Sequence, residues 1–301
     1  MPNSVERYKE ELNMTTTTLT REERSRIATE KLEETNSFLF ELYENPESFK
    51  KWVNIQFGLH QYSATNRAFL LYQNENVTHV GTFNSWKKLG YSINKGAKSL
   101  KVFVPILVEL YRSEDGKWKN VNTASDEVKA KLRKNFYETK KQKTGFRLAS
   151  VFDVKDTTAI EADFREVINL PDLHSVVELV ARHTSSPVPN CETEFEQLET
   201  LVRDEVERDI TVSREAIEAI SETSGTSVFT IREALVDIET AFILTKVHLN
   251  DSSLDKNLIG TLHWRKDDEN HRKAIQKLHD LACKKSDELW NEFQYVFKAP
   301  T

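Results

Sequence analysis

The sequence predicts an α+β fold in which N-terminal helices pack on a small antiparallel sheet and a mostly α-helical C-terminal domain follows. Two observations predict this class. Residues 99–111 and 145–154 are β-branched and apolar, which is typical of strands. Apolar residues at helical spacing precede these segments and continue after them, with almost no further strand pattern. The length of 301 residues is sufficient for two domains.

The N-terminal elements follow from apolar spacing and from residues that begin or end helices. Residues 1–20 end in a run of threonines and are predicted to be a disordered tail. Residues 21–43 are a predicted helix, and Pro46 suits the first turn of the next one. A third helix is predicted over residues 64–74.

Short elements are predicted to frame the sheet. A strand over residues 78–82 leads to a helix over residues 84–89, which Gly90 closes. The long strand that follows contains Pro105, which lacks the amide hydrogen of a strand ladder and therefore indicates an edge position or a bulge. Its partner is the second apolar segment. The insertion between them is predicted to contain a basic helix over residues 126–143.

Charge is segregated along the chain. The formal net charge is -6, yet residues 84–147 contain 16 Lys and Arg against 6 Asp and Glu. Residues 192–239 contain 14 acidic residues against 4 basic ones. A basic surface binds phosphate through counterion release whatever the total charge of the protein. The basic segment therefore favours nucleic-acid binding, and the alternative is two solvated surfaces of different bias.

Several classes of protein are disfavoured by composition. No apolar run approaches the roughly 18 to 20 residues that span a bilayer, and the charged N-terminus lacks the apolar core of a signal peptide. Cys191 and Cys283 are too few and too isolated for a disulfide scaffold or a structural zinc cluster. We expect a cytoplasmic protein without a membrane partner.

Spaced residues between Tyr62 and Asp153 carry a family resemblance. They are Tyr62-Ser63, Asn66, Leu70-Leu71, Gln73, Thr82-Phe83 with Trp86, Gly90, the Lys95-Gly96-x-Lys98 loop, Pro105 and Val151-Phe152-Asp153. The region resembles the N-terminal domain of ArdC-type antirestriction proteins and of LtrC-like plasmid proteins. The resemblance implies an α+β domain that binds single-stranded DNA and occurs on mobile-element proteins. The chain then divides into this domain at residues 21–160, a connector at 161–190 and an acidic helical domain at 191–301.

The residue chemistry of this region supports a nucleic-acid contact. Proteins that bind single strands combine a basic groove with aromatic faces on which bases stack. Gly96 lets the backbone come close to a phosphate between Lys95 and Lys98, and Asn66 and Gln73 lie two helical turns apart on one face. The candidate nucleic-acid-binding residues are Tyr62, Asn66, Gln73, Trp86, Lys87, Lys88, Lys95, Gly96, Lys98, Lys101 and Phe103.

Some of these residues have an alternative role in packing. Phe83 and Trp86 are three apart on a short predicted helix, so one of them is expected in the core, and Phe83 is the favoured one. Tyr62 and Asn66 instead brace or cap the third helix in the alternative interpretation. The basic insertion helix is either a second contact surface or a solvated face.

Signatures of catalysis and of metal binding are missing from the sequence. Many ArdC-type proteins carry a metalloprotease domain marked by His-Glu-x-x-His, and this motif does not occur here. A site formed by His271, His279 and Cys283 is conceivable, but amphipathic helices acquire such spacings by chance. There is also no phosphate-binding glycine loop and no nucleophile elbow. We expect no catalytic residue, no metal and no cofactor.

The C-terminal region contains a pattern similar to a helix–turn–helix motif, over residues 213–240. Gly225 is the predicted turn glycine, with Ile220 and Leu235 as the anchors of the two helices. The acidic surroundings disfavour duplex DNA, so a hairpin used for packing or protein contact is the favoured interpretation. Residues 270–297 are predicted to form a long amphipathic helix that packs on the preceding helices or on a partner subunit.

Together these observations predict a non-catalytic single-stranded-DNA-binding protein of a plasmid, virus or other mobile element. It would protect the strand in transfer, replication or antirestriction. Its partners would be single-stranded DNA and, through the C-terminal helices, a protein or a second copy. One alternative is a protein-interaction or DNA-mimic module that uses the acidic C-terminal domain. Another is a helix–turn–helix transcription regulator.

Overall fold

The computed structural model describes residues 20–59, 61–160, 164, 172–246 and 262–298. The helices are α1 (Arg21–Glu44), α2 (Pro46–Leu59), α3 (Ala64–Gln73), α4 (Phe83–Lys88), α5 (Asp126–Arg133), α6 (Leu173–His183), α7 (Glu194–Ile210), α8 (Arg214–Ser224), α9 (Val228–Lys246) and α10 (Glu269–Lys298). The strands are β1 (Val80–Gly81), β2 (Leu100–Arg112), β3 (Trp118–Asn120) and β4 (Thr139–Asp153). The α+β class is confirmed, and the tail predicted for residues 1–20 lies outside the described residues except for Thr20.

The four strands form an antiparallel sheet in the order β1-β4-β2-β3. Val80 of β1 lies opposite Asp153 of β4. On the other side, β3 pairs only with the last residues of β2, Leu110–Arg112. Pro105 therefore lies in a part of β2 that β3 does not reach, which confirms the edge position that its missing amide hydrogen predicts.

The basic helix predicted in the insertion is shorter than expected. Helix α5 ends at Arg133, and residues 139–143 form the first part of β4 instead. Asn135 adopts a left-handed backbone conformation with φ of 57°, which an asparagine tolerates better than most residues and which ends the helical path.

The chain forms two compact units that do not follow the sequence order. The first contains residues 20–32 and 101–150, and the second contains residues 33–100 and 151–298 within the described ranges. The boundaries suggested by composition, near residues 160 and 190, therefore lie inside the second unit. In that unit α2 packs on α9, and α3 packs on α10, so helices from both ends of the chain share one core.

The core of the second unit is built around His279 of α10. The hydroxyl of Tyr43 donates to Nδ1 of His279 at 2.7 Å, and Nε2 of His279 donates to the carbonyl of Ala64 at 3.2 Å. The ring of Trp52 lies 4.6 Å from the imidazole. Burial lowers the pKa of His279 to about 4, so the imidazole is neutral at physiological pH. Both ring nitrogens of His279 are thus engaged in hydrogen bonds inside the core, and Cys283, one turn further along α10, is also buried.

The hairpin predicted around Gly225 is confirmed. Gly225 has a φ of 71°, and its amide donates to the carbonyl of Ser221 at 2.8 Å, which closes α8. Ile220 and Leu235 are buried as the anchors of α8 and α9. The long C-terminal helix is also confirmed as α10, which packs on α8 and α9.

Candidate nucleic-acid interface

Helix α4 begins at a side-chain cap in the second unit. The hydroxyl of Thr82 accepts a hydrogen bond from the amide of Ser85 at 3.1 Å and lies 2.6 Å from the hydroxyl of the same residue. This bond satisfies one of the amides that the first turn of a helix leaves unpaired. The cap fixes where this short helix starts and therefore which of its side chains point outward.

Trp86 anchors α4 to the sheet. The indole is 3% exposed, and its Nε1 donates to the carbonyl of Phe152 at 3.0 Å. Gly81 lies directly beneath it, because a Cβ atom at this position would come within 3.1 Å of the indole ring. Tyr91 and Phe164 pack edge-on against the same ring. Trp86 is therefore a core residue of this unit.

The other side chains of α4 are exposed, although Trp86 is buried. Phe83 is 56% exposed and Leu89 is 60% exposed, and Lys87 and Lys88 beside them are exposed as well. The favoured assignment of Phe83 to the core is thus wrong, since Trp86 takes that place. Phe83 and Lys87 are four apart, so they are neighbours on one helical face.

A glycine ends α4 and directs the chain into the next loop. Gly90 has a φ of 87°, and its amide donates to the carbonyl of Lys87 at 3.1 Å. The amide of Tyr91 donates to the carbonyl of Trp86 at 2.9 Å. These two bonds form a Schellman motif, in which a left-handed residue satisfies the last carbonyls of a helix.

The loop that carries Lys95 is held at its base by backbone hydrogen bonds. The amide of Asn94 donates to the carbonyl of Asp156 at 2.9 Å, and its side chain donates to the carbonyl of Thr157 at 3.0 Å. The amide of Ala97 donates to the carbonyl of Asn94, which closes a four-residue turn at 3.1 Å. Gly96, with a φ of 88°, occupies the third position of this turn, where glycine is favoured.

The lysines of this segment are not neutralised by carboxylates. Lys87, Lys88, Lys95 and Lys98 are exposed, and within the part of the chain that the structure describes none of them forms an ion pair. No Asp or Glu occurs between Glu75 and Glu109. We name the set the α4 surface. It consists of Phe83, Lys87, Lys88, Leu89, Lys95 and Lys98.

Asp153 connects two backbone segments next to α4 through hydrogen bonds to its side chain. It is buried at the end of β4 and accepts hydrogen bonds from the amides of Thr78 at 2.9 Å and Lys155 at 3.0 Å. Burial raises the pKa of the Asp153 carboxyl above its ordinary value, although the two amide donors oppose this effect. The carboxylate thus ties the strand before α4 to the segment that holds the Lys95 loop.

Six of the eleven predicted contact residues lie elsewhere or have other roles. Asn66, Gln73 and Phe103 are buried like Trp86, and a buried side chain offers no face to a base. Tyr62 is half-buried and donates to the carbonyl of Val80 at 3.1 Å, which fits the bracing alternative. Lys101 belongs to the first unit, where its ammonium donates to Ser150 at 2.9 Å and burial lowers its pKa.

The first unit has a basic surface of its own. Residues 101–150 contain 12 Lys and Arg against 6 Asp and Glu. The ammonium of Lys140 lies 4.1 Å from the centre of the Trp118 ring. Phe136 is exposed just after α5. Exposed aromatic rings among cations are the combination that single strands bind, and the sequence pattern did not single out Phe136.

Comparison with known families gives a match in the N-terminal part of the chain. Residues 23–152 match the family described as the N-terminal domain of anti-restriction factor ArdC. This part of the chain is an ArdC-type N-terminal domain.

One curated relative is protein pXO2-81 of Bacillus anthracis, which is 25% identical over 126 residues. The match covers 42% of this chain and 21% of the relative, so the chain spans about a fifth of the length of that protein. A metal-free crystal structure of antirestriction protein ArdC from plasmid R388 is 14% identical, with a TM-score of 0.44. That match covers 78% of this chain and 86% of the other.

The residues that the structure describes contain neither a metal-binding cluster nor a helix able to span a bilayer. Across these ranges, no group of three or more His, Cys, Asp or Glu side chains is arranged to hold a metal ion. None of the helices described here has the length and apolar character of a bilayer-spanning segment.

Proposed function

We propose that this protein is a non-catalytic single-stranded-DNA-binding protein of a plasmid or another mobile element, and that it contacts the strand through the α4 surface. The observation that carries the proposal is a set of four exposed lysines that have no carboxylate partner among the described residues, together with the exposed ring of Phe83. The ArdC-type domain at residues 23–152 supports an antirestriction role, and its match includes the whole α4 surface.

The α4 surface suits a single strand better than a duplex. Unstacked bases offer faces to exposed side chains such as Phe83 and Leu89, whereas a duplex keeps its bases stacked inside. A six-residue helix is only about 9 Å long, which is short for reading a major groove. The Lys95 turn presents two cations beside a glycine, where a phosphate can approach the backbone.

The first test compares a labelled 20-nucleotide single strand with its duplex by fluorescence anisotropy at two salt concentrations. We expect tighter binding to the single strand, and affinity that falls as salt is added because phosphate contacts release counterions. Equally weak binding to both, or affinity that does not change with salt, would contradict the proposal.

A charge reversal localises the contact. The double variant Lys95→Glu with Lys98→Glu should abolish single-strand binding while the circular dichroism spectrum stays unchanged, because both side chains are exposed. The matched control is Lys273→Glu with Lys284→Glu, which changes the net charge equally on exposed positions of α10. A control that weakens binding as much as the test variant would show that only total charge matters.

Full-length recovery of the labelled strand after incubation tests the non-catalytic part of the proposal.

A second candidate function is a protein contact through the acidic C-terminal helices. Phe229 at the start of α9 is 69% exposed, next to the exposed Val228. Sedimentation velocity at increasing concentration tests self-association, which Phe229→Glu should abolish.

The transcription-regulator alternative predicts instead that duplex binding survives in the Lys95→Glu, Lys98→Glu variant.

A further inference from the structure

A groove in the first unit lies between the start of α1 and the long strands. Its volume is about 440 Å³. Arg24 and Ser25 of α1 form one wall, and Phe146 and Arg147 of β4 form another. Residues 105–107 of β2 complete the lining. The groove is large enough for a small organic ligand, since binding cavities for such ligands measure roughly 300 to 1,000 Å³.

The floor of the groove is apolar and open. Pro105 carries no amide hydrogen, and Leu107 is exposed although it is a large apolar side chain. The ring of Phe146 is supported edge-on by Phe103 at 6.1 Å between ring centres. The ammonium of Lys143 lies 4.0 Å from the centre of the same ring. A flat apolar ligand would cover this floor and would have a cation beside it.

The two arginines of the groove differ from two other arginines of the same unit, Arg26 and Arg112. Arg26 pairs with Glu30 at 3.7 Å, and Arg112 pairs with Glu138 at 3.4 Å. Arg24 and Arg147 are exposed, and their guanidinium groups form no ion pair or hydrogen bond with another described residue. Among the residues that the structure describes, no carboxylate lines the groove. Two guanidinium groups without partners are suited to one phosphate, which they can hold through paired hydrogen bonds.

We propose that this groove binds one nucleotide of a single DNA strand, with the base on the apolar floor and its phosphate between Arg24 and Arg147. The site is additional to the α4 surface, and the inference rests on the proposed single-strand binding. An acidic peptide side chain would satisfy the guanidinium groups but would leave the floor around Phe146 uncovered. The twofold excess of basic residues over residues 101–150 also favours a polyanion over a single carboxylate.

Neutral substitutions measure the phosphate contacts of the groove. Each lost contact to a single strand lowers the slope of log affinity against log salt by about 0.7, which is roughly a fivefold loss at 0.1 M salt. The full-length variant Arg24→Gln with Arg147→Gln should therefore bind a labelled thymidine 20-mer roughly 25-fold more weakly, with a slope lower by about 1.4. The control Arg26→Gln with Arg112→Gln removes the same charge from paired arginines and should leave the slope unchanged. Equal slopes in the test variant and the wild-type protein would overturn the proposal while leaving the α4 surface intact.

Photo-crosslinking separates this site from the α4 surface. A trinucleotide containing 5-iodouracil should crosslink to the peptide that contains Phe146, in the wild-type protein and in the Lys95→Glu, Lys98→Glu variant alike. Crosslinking at Phe146 together with weak 20-mer binding would support the groove even if the α4 surface failed. Crosslinks found only outside residues 103–107 and 143–147 would overturn the groove. Loss of the crosslink on adding free thymidine monophosphate at equal concentration would show that a free nucleotide is the ligand and would overturn the strand proposal.

Discussion

The two oppositely charged regions of the chain use their cations in opposite ways. The four basic residues between positions 192 and 239 are Arg203, Arg208, Arg214 and Arg232, and each lies within ion-pair distance of a carboxylate. The four exposed lysines of the α4 surface have no such partner among the described residues. The formal net charge of -6 therefore hides cations that remain available to a polyanion.

The carboxylates differ between the regions in the same way. Arg203 of α7 contacts Asp237 at 2.7 Å and Glu233 at 3.2 Å, both on α9, so charges there join helix to helix. Around α4, the buried Asp153 accepts backbone amides instead and leaves the lysines unpaired. Charged side chains join helices to each other in the acidic region, whereas the lysines of the α4 surface stay exposed to solvent.

The largest effect is expected from neutralising the α4 surface. Replacing Lys87, Lys88, Lys95 and Lys98 by Gln should lower the salt slope by about 2.8 and single-strand affinity by roughly 600-fold at 0.1 M salt, if each lysine contacts one phosphate. Anisotropy across a salt series measures both quantities. The control Arg214→Gln removes a paired cation from α8 and should leave both unchanged. If the salt slope of the quadruple variant equals that of the wild-type protein, the exposed lysines bind DNA no more than the paired arginines do.

The next effect concerns a buried carboxyl in the acidic region. Glu239 of α9 is fully buried, and neither carboxyl oxygen has a hydrogen-bond partner within the described ranges. Burial, with a smaller contribution from the nearby carboxyl of Asp209, raises its pKa to about 9, and Lys285 opposes this shift. The folded protein therefore keeps Glu239 protonated at pH 7, whereas the unfolded chain ionises it. The contribution of Glu239 to stability is therefore fully present below the ordinary pKa of a glutamate and is lost as pH rises toward 9.

The variant Glu239→Gln removes this dependence. Urea unfolding at pH 6, 7 and 8 should show a shallower decline in the free energy of unfolding than in the wild-type protein. The gain at pH 7 is at most about 3 kcal/mol, since each unit of pKa shift corresponds to about 1.4 kcal/mol. Glu222→Gln, at an exposed position of α8, should leave the pH profile unchanged. A wild-type stability that does not vary between pH 6 and pH 8 would contradict this account.

Phe83 and Trp86 should separate binding from stability. Phe83→Ala removes an exposed ring and should cost roughly 1 to 3 kcal/mol of single-strand binding free energy, the range for one stacked base, with little change in stability. Trp86→Phe leaves the carbonyl of Phe152 without its donor and should lower the free energy of unfolding by roughly 1 to 3 kcal/mol. Anisotropy and chemical denaturation of both variants measure the two effects. If Trp86→Phe instead weakens DNA binding without loss of stability, the indole is a contact residue after all.

Most of the fold was predictable because the signals are local. The helix breaks, the strand with Pro105 and the turn at Gly225 each depend on a few neighbouring residues. The end of α5 was not predictable, since the choice between a helix and a strand at residues 139–143 depends on pairing with β2. The compact units were not predictable either, because the packing of α2 on α9 joins residues far apart in sequence.

The candidate site was predictable in its lysines and less so in its aromatics. A lysine in a segment without acids stays exposed in almost any fold, so Lys87, Lys88, Lys95 and Lys98 could be found from the sequence. Trp86 rather than Phe83 is buried because its indole reaches the carbonyl of Phe152. Phe152 is far from α4 in the sequence, so no local pattern reveals this contact. Gly81 next to Thr82 is a weak local signal that a large ring lies close to the backbone.

The smallest expected effect tests whether the Lys95 turn is preformed. Gly96→Ala meets no neighbouring atom within 4 Å, so its cost comes only from the left-handed backbone, about 1 to 2 kcal/mol for a residue with a Cβ atom. The turn should relax, which would move Lys95 and Lys98 and lower single-strand affinity by up to about tenfold. The control Gly225→Ala imposes the same backbone conformation in the acidic region, where no atom lies within 4 Å of its Cβ either. It should cost similar stability and leave DNA affinity unchanged. Equal affinity losses in both variants would show that general destabilisation, rather than the geometry of the turn, controls binding.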